Sequence, residues 1–339
     1  MTNLFQPWIL LRLASAIVIA TLFVRASRTG ARVIAHYDVV RSSEGQLALE
    51  RQLELAATYA RVAAIASALD LGLGVLAADR LSHGLRGAMC AYGVFGAVGS
   101  LGWLALGASV VLAIAGGLLA QLFAFDASLP RLDLARPLAK TMLVVAPLAL
   151  VSAALQAAFL LDLDLSASAS CCSVEIDSAG ASIWGLHGGP RAGVSAAGAI
   201  AVLVAAVSMA LVARRPSRRA LVAVAALAAV AGALGVAAVI TGVAPHAFET
   251  PQHLCPFCLL RADVHGIGYP LFGAIYLGVV WSLGAAMGGL FAGGRVAALR
   301  AFAERRLRWG AIAFAIALVL GAEPVVRYAW VSGGTLLFP

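Results

Sequence analysis

The chain has 339 residues, of which 62% are hydrophobic and only 12% charged, with a mean hydropathy of +0.95. A soluble protein of this length carries far more charge, so the composition excludes one and predicts an all-α, polytopic integral membrane helix bundle in a lipid bilayer. The net charge of +8 comes almost wholly from arginines that flank apolar runs, with 23 Arg to one Lys, so it is a topology signal and no footprint for nucleic acid.

Apolar runs near the ~20 residues a bilayer requires occur at about 7–25, 54–78, 100–124, 137–161, 192–213, 220–244, 269–294 and 310–331. They predict about eight transmembrane helices. The first run follows the neutral stretch Met1–Pro7 and ends at Val24-Arg25-Ala26-Ser27-Arg28 without a cleavage site, so it is expected to be a retained helix.

Alternate connections hold Arg25, Arg28, Arg32, Arg41 and Arg51; then Arg131, Arg136 and Lys140; then Arg214, Arg215, Arg218 and Arg219; then Arg295, Arg300, Arg305, Arg306 and Arg308. That is 17 basic residues, against five (Arg80, Arg86, Arg191, Arg261, Arg327) in the opposite connections and at the C-terminal end. The richer set is expected in the cytoplasm, with both termini outside. All five cysteines then fall on the outer side or at its membrane edge, and the outer compartment is where disulfides persist. His83, His187, His246, His253 and His265 share that side, and only His36 lies inside.

In chain order, residues 26–53 read as a polar helix leading into the second span. Asp70 lies mid-span, a costly place for a carboxylate, and Arg12 or Arg61 is the expected partner. Arg86–Gly96 is too apolar for an ordinary loop and is read as a surface-lying turn or as the start of the third span. It holds Cys90, which is either a small packing hydrophobe or a functional thiol.

The stretch from Leu161 to Ser178, rich in Ser and Asp, is expected to be a solvated loop. It carries Cys171 and Cys172. Consecutive Cα atoms lie ~3.8 Å apart, below the ~4.4 Å lower edge for ordinary disulfides. A bond between these two would be strained, so separate partners or a shared metal are the more natural readings. Gly284 and Gly288 suit a close helix crossing, and Glu323 and Arg327 are spaced to pair across one helical turn.

His253-Leu254-Cys255-Pro256-Phe257-Cys258 precedes the seventh run. A Cys-x-x-Cys pair can close a small disulfide, grip a metal ion with help from His253 and His265, or simply pack. A helix beginning after Cys258 would aim backbone N–H groups at the thiols and favour thiolate. Covalent haem attachment is not expected, because Leu259 stands where Cys-x-x-Cys-His needs histidine.

From these residues, the region 137–294 resembles the four-helix core of bacterial vitamin K epoxide reductase homologues, which are functionally akin to disulfide bond formation protein B. Cys172-Ser173-Val174, Ser178 and Gly185 match that family's outer loop in character, and Cys255 and Cys258 match its active pair in position. The resemblance implies three parts: helices over 1–136, a four-helix thiol-redox core over 137–294, and a basic loop with a last span over 295–339. It further implies that Cys255 or Cys258 faces a quinone and that Cys171 or Cys172 shuttles electrons. The implied location is a bacterial inner (plasma) membrane, with a soluble thioredoxin-like protein outside as donor. The family's loop cysteines are separated, whereas these are adjacent, and Cys90 has no counterpart.

The expected activity is therefore a membrane thiol–disulfide oxidoreductase passing electrons from an extracytoplasmic dithiol to quinone. The alternative is a copper- or zinc-handling transporter or assembly protein. It would draw ligands from Cys90, Cys171, Cys172, His253, Cys255, Cys258 and His265.

Overall fold

A computed structural model describes residues 5–37, 43–129, 134–166, 168–169, 189–292 and 296–337. Cys171 and Cys172 lie outside the described residues. Within these limits the chain is helical, with no strand and a single isolated bridge between Arg86 and Ser168. The helices are α1 (Pro7–His36), α2 (Glu44–Ser82), the short α3 (Ala91–Gly96), α4 (Ser100–Asp126) and α5 (Ala135–Asp162). They continue with α6 (Gly189–Arg214), α7 (Arg218–Ala247), α8 (Gly268–Phe291) and α9 (Val296–Val331). Eight of them are long and apolar enough to cross a membrane.

Seven of the eight expected spans sit inside one of these helices, and the run expected over 269–294 lies in α8 as far as Phe291, with residues 293–294 outside the described ones; several helices run on. Pro7 starts α1 at a position where its missing N–H costs nothing. No proline interrupts the arginine-rich stretch that follows the apolar run, and α1 continues to His36. The polar helix expected before the second span is fused with that span, so α2 has 39 residues and a length of ~58 Å. The last basic connection is likewise helical and joins its span in the 36-residue α9. There Glu304 and Arg308 pair across one turn at 2.6 Å, and Glu323 and Arg327 stand 3.9 Å apart.

Arg86–Gly96 follows neither expected course. Ala91, Val94 and Phe95 are buried in α3, and Gly99, at φ 58, turns the chain before α4 begins. Only a residue without a side chain takes that turn at little cost.

Two compact units divide the chain: residues 1–77, 95–165 and 291–299 form one, and residues 78–94, 166–290 and 300–339 the other. In the first unit α5 packs against α1 and α4. The α1–α5 crossing is close because Gly30 lies against the Ala139 backbone, where a Cβ would come within 3.0 Å of the carbonyl oxygen. Between these helices lies a buried polar network. Arg12 pairs with the Asp70 carboxylate and also donates to the Asp70 carbonyl at 2.8 Å and to Gln156 Oε1 at 2.7 Å. The Ser15 hydroxyl donates to Asp70 Oδ1 at 2.6 Å, and Gln156 Nε2 donates to Ser109 Oγ at 2.9 Å. A small cavity lined by Asp70, Ser67, Ser109, Ser152 and Gln156 has room for about one water.

In the second unit α6 packs on α7 through Gly198, which lies against the Leu234 carbonyl. Gly278 of α8 seats the Phe314 ring of α9, and Gly284 and Gly288 are buried. The α7 helix widens into a π turn over Val239–Val243, just before Pro245. A proline here cannot donate to Thr241, and its ring would collide with that carbonyl, so one wider turn accommodates it. Beyond the turn, His246 Nδ1 lies 2.7 Å from the Gly242 carbonyl, and the Leu337 amide donates to its Nε2 at 3.3 Å. These partners assign the imidazole the tautomer protonated on Nδ1.

Candidate functional site

Three cysteines of the second unit meet in its interior. Cys90 comes from the segment before α3, and Cys255 and Cys258 come from the connection between α7 and α8. Their sulfurs all lie within 4.8 Å of one another, and Cys90 Sγ is 3.6 Å from Cys255 Sγ. The residues are 1%, 1% and 4% exposed. Tyr92, Phe248 and Phe257 pack around them.

The local backbone explains how the motif presents both its sulfurs to one place. Cys255 is extended at φ −84, and Pro256 then opens a single 3-10 turn over Pro256–Leu260. Three residues per turn bring positions i and i+3 onto one side, which suits a Cys-x-x-Cys pair. Proline at the first position fixes the entry without sacrificing a hydrogen bond.

The membrane helix starts at Gly268, close to the start of the expected run at 269, and not directly after Cys258, where a helix start would have favoured thiolate. A second 3-10 turn, Ala262–Val264, follows the first, and consecutive left-handed residues, His265 (φ 57) and Gly266 (φ 62), end it. Only then does α8 begin, at Gly268, which abuts Leu259 so closely that a Cβ would come 3.0 Å from its backbone. The reason is local: short i→i+3 turns close over the cysteines before the chain can enter a long helix. A five-residue 3-10 turn lacks the aligned dipoles of a long helix, so the expected favouring of thiolate by a helix start does not carry over.

Arg261 fastens the two halves of the cluster. It caps the 3-10 turn, its N–H donating to the Cys258 carbonyl at 3.1 Å. Its guanidinium donates to the Met89 carbonyl at 3.4 Å and pairs with Asp263 at 3.1 Å. A second tether holds the Cys90 segment from the other side. The Ala169 amide donates to the Arg86 carbonyl at 2.8 Å, and Gly87, at φ 83, faces the Ala169 carbonyl with no room for a side chain. Ala169 is two residues before Cys171 in the sequence.

Of the residues singled out in the sequence, Cys90, Cys255 and Cys258 are therefore brought together. The His253 ring lies 4.1 Å from the Phe248 ring, centroid to centroid, and His265 is exposed on its left-handed turn. Neither imidazole belongs to the set of ligand atoms mutually within 4.8 Å among the described residues. Sequence reasoning missed Arg261, Tyr92 and Phe248. Arg261 stands three residues past Cys258, and Tyr92 two past Cys90, yet neither spacing has meaning until the two segments are known to touch.

Two chemistries fit this arrangement. Sulfurs this close can exchange a disulfide among themselves, since closing 3.6 Å to the ~2.05 Å bond needs a shift of only about 1.5 Å. Alternatively, three thiolates bound at ~2.3 Å to one trigonal ion would be ~4.0 Å apart, within the observed range. Comparison with protein-family models, curated proteins and solved structures found no match.

Proposed function

We propose that the protein is a membrane thiol–disulfide oxidoreductase in which Cys255 and Cys258 form the reactive disulfide. One observation carries this reading: the Cys-x-x-Cys pair sits on one tight turn inside a closed, aromatic-lined cluster of three sulfurs. Exchange proceeds by thiolate attack on a sulfur of the disulfide, through a mixed disulfide, to a donor disulfide and two cluster thiols. Two electrons thus enter the pair from each donor dithiol.

Burial explains why an intermediary is needed. A folded donor cannot approach sulfurs that are at most 4% exposed. Cys171 and Cys172 are the proposed shuttle. The chain from Ala169 to Cys171 spans at most ~7 Å, and Ala169 is pinned to Arg86, four residues before Cys90. The donor is proposed to be a thioredoxin-like protein outside a bacterial inner membrane, an orientation drawn from the arginine asymmetry. A quinone is the proposed acceptor, a choice supported by the aromatic side chains of Tyr92, Phe248 and Phe257 packed at the cluster; when bound it would supply the acceptor for two electrons and two protons, restoring the disulfide. The four-helix core over 137–294 belongs to this proposal.

The test uses purified protein in detergent, a dithiol donor and a short-chain ubiquinone. Quinone reduction is expected to fall to the uncatalysed rate in Cys255→Ser and in Cys258→Ser. Rates unchanged in both variants would sink the assignment.

The three-sulfur geometry also favours a second reading, a soft-metal site. Zinc prefers four ligands, whereas Cu(I) accepts an all-thiolate set readily, so copper is the better fit. Elemental analysis separates the two: stoichiometric copper in protein that catalyses no exchange would establish the metal site instead.

A further inference from the structure

The geometry points to Cys90 as a third exchanging thiol, which attacks Cys255 of the Cys255–Cys258 disulfide and moves the bond to Cys90–Cys255. This deepens the thiol–disulfide reading and rests on it. Cys90 Sγ and Cys255 Sγ are in contact at 3.6 Å, although 165 positions separate them in the chain. The contact is built, not incidental. Arg261 ties Met89 to the Cys258 turn, and the Ala169 amide and the glycine at 87 hold the chain leading to Cys90 from the other end.

The step balances without any outside oxidant. Cys90 gives up its proton and its thiolate forms a bond to Cys255 Sγ. The Cys255–Cys258 bond breaks, its electron pair leaves on Cys258 Sγ, and that sulfur takes up a proton. One disulfide and one thiol exist before and after. Cys255 is the pivot common to both bonds, and the reduced sulfur alternates between Cys258 and Cys90.

Burial makes the exchange selective. Cys90 is 1% exposed and closed in by Tyr92, so among the described cysteines its exchange partners are its two cluster-mates. Holding reactants at contact raises their effective concentration by many orders of magnitude, on the order of 10⁵ M or more in well-oriented cases. A cysteine serving only as a small packing hydrophobe would not need a second sulfur at this distance.

The test oxidises full-length protein in detergent with diamide and maps disulfides by non-reducing mass spectrometry. Cys258→Ala is expected to lose two alkylatable thiols, linked as Cys90–Cys255, and Cys90→Ala to retain Cys255–Cys258. Acid-quenched unaltered protein should yield both linked peptides, a readout that needs no variant to fold. If Cys255–Cys258 forms in Cys90→Ala and in unaltered protein but Cys90–Cys255 appears neither in Cys258→Ala nor in unaltered protein, the role of Cys90 is overturned and the oxidoreductase reading stands. If no cluster disulfide forms at all, both fall together.

Discussion

Arg12 of α1 and Asp70 of α2 form a buried ion pair, 9% and 5% exposed at their side chains, in helices apolar enough to cross a membrane. Gly74, one turn beyond Asp70, leaves the space the guanidinium occupies; a Cβ there would lie 3.0 Å from Arg12 Nη2. Either charge alone in this setting would be costly, and the pair is also hydrogen-bonded to Ser15 and Gln156.

Removing one partner strands the other charge. Arg12→Ala and Asp70→Ala are each expected to destabilise by about 3–5 kcal/mol, while the double variant loses less than the sum. Unfolding curves in detergent for the two single variants and the double variant measure this coupling. Strictly additive losses would mean that the two side chains do not interact.

Gly87 is the close-packed turn residue of the Cys90 segment. Alanine there meets the Ala169 carbonyl and must adopt φ 83. Left-handed backbone alone costs about 1–2 kcal/mol, so Gly87→Ala should lower the melting temperature by several degrees. It should also weaken diamide cross-linking of Cys90 in the Cys258→Ala background.

Arg261 links two segments but is partly exposed, with 34% of its side chain accessible and Asp263 more so. Its ion pair is screened, and losing it should cost no more than about 1 kcal/mol. The consequence of Arg261→Ala is local opening: Cys90 and Cys255 in reduced protein should be alkylated several-fold faster, with the melting temperature nearly unchanged. Equal alkylation rates in both proteins would show that the Met89 contact does not hold the cluster shut.

The arginine asymmetry predicts that residues 162–191 and 245–268 lie outside the cytoplasm. After reduction, a membrane-impermeant maleimide added to intact cells should modify Cys171 and Cys172, whereas the buried trio reacts far more slowly until the protein is denatured. Protection of the loop pair until the cells are lysed would invert the orientation.

The sequence by itself determined the class and the eight apolar helices, because a run of about 20 hydrophobic residues is a local property. It also contained what decides between the two candidate partners of Asp70. Once α2 is continuous, Arg61 lies nine residues away, ~13.5 Å along the axis and on the opposite face, so only Arg12 can reach. Whether the stretch after Cys258 enters a long helix or two 3-10 turns depended on left-handed residues at 265 and 266 and on the fit of Gly268 against Leu259. Propensity does not encode that fit. The meeting of Cys90 with Cys255 and Cys258 was decided by tertiary structure alone. It joins segments 165 residues apart, with Arg261 donating across to the Met89 carbonyl and a separate backbone bridge from Arg86 to Ser168 holding the Cys90 side, and no periodicity or spacing along one helix reports a contact of that kind.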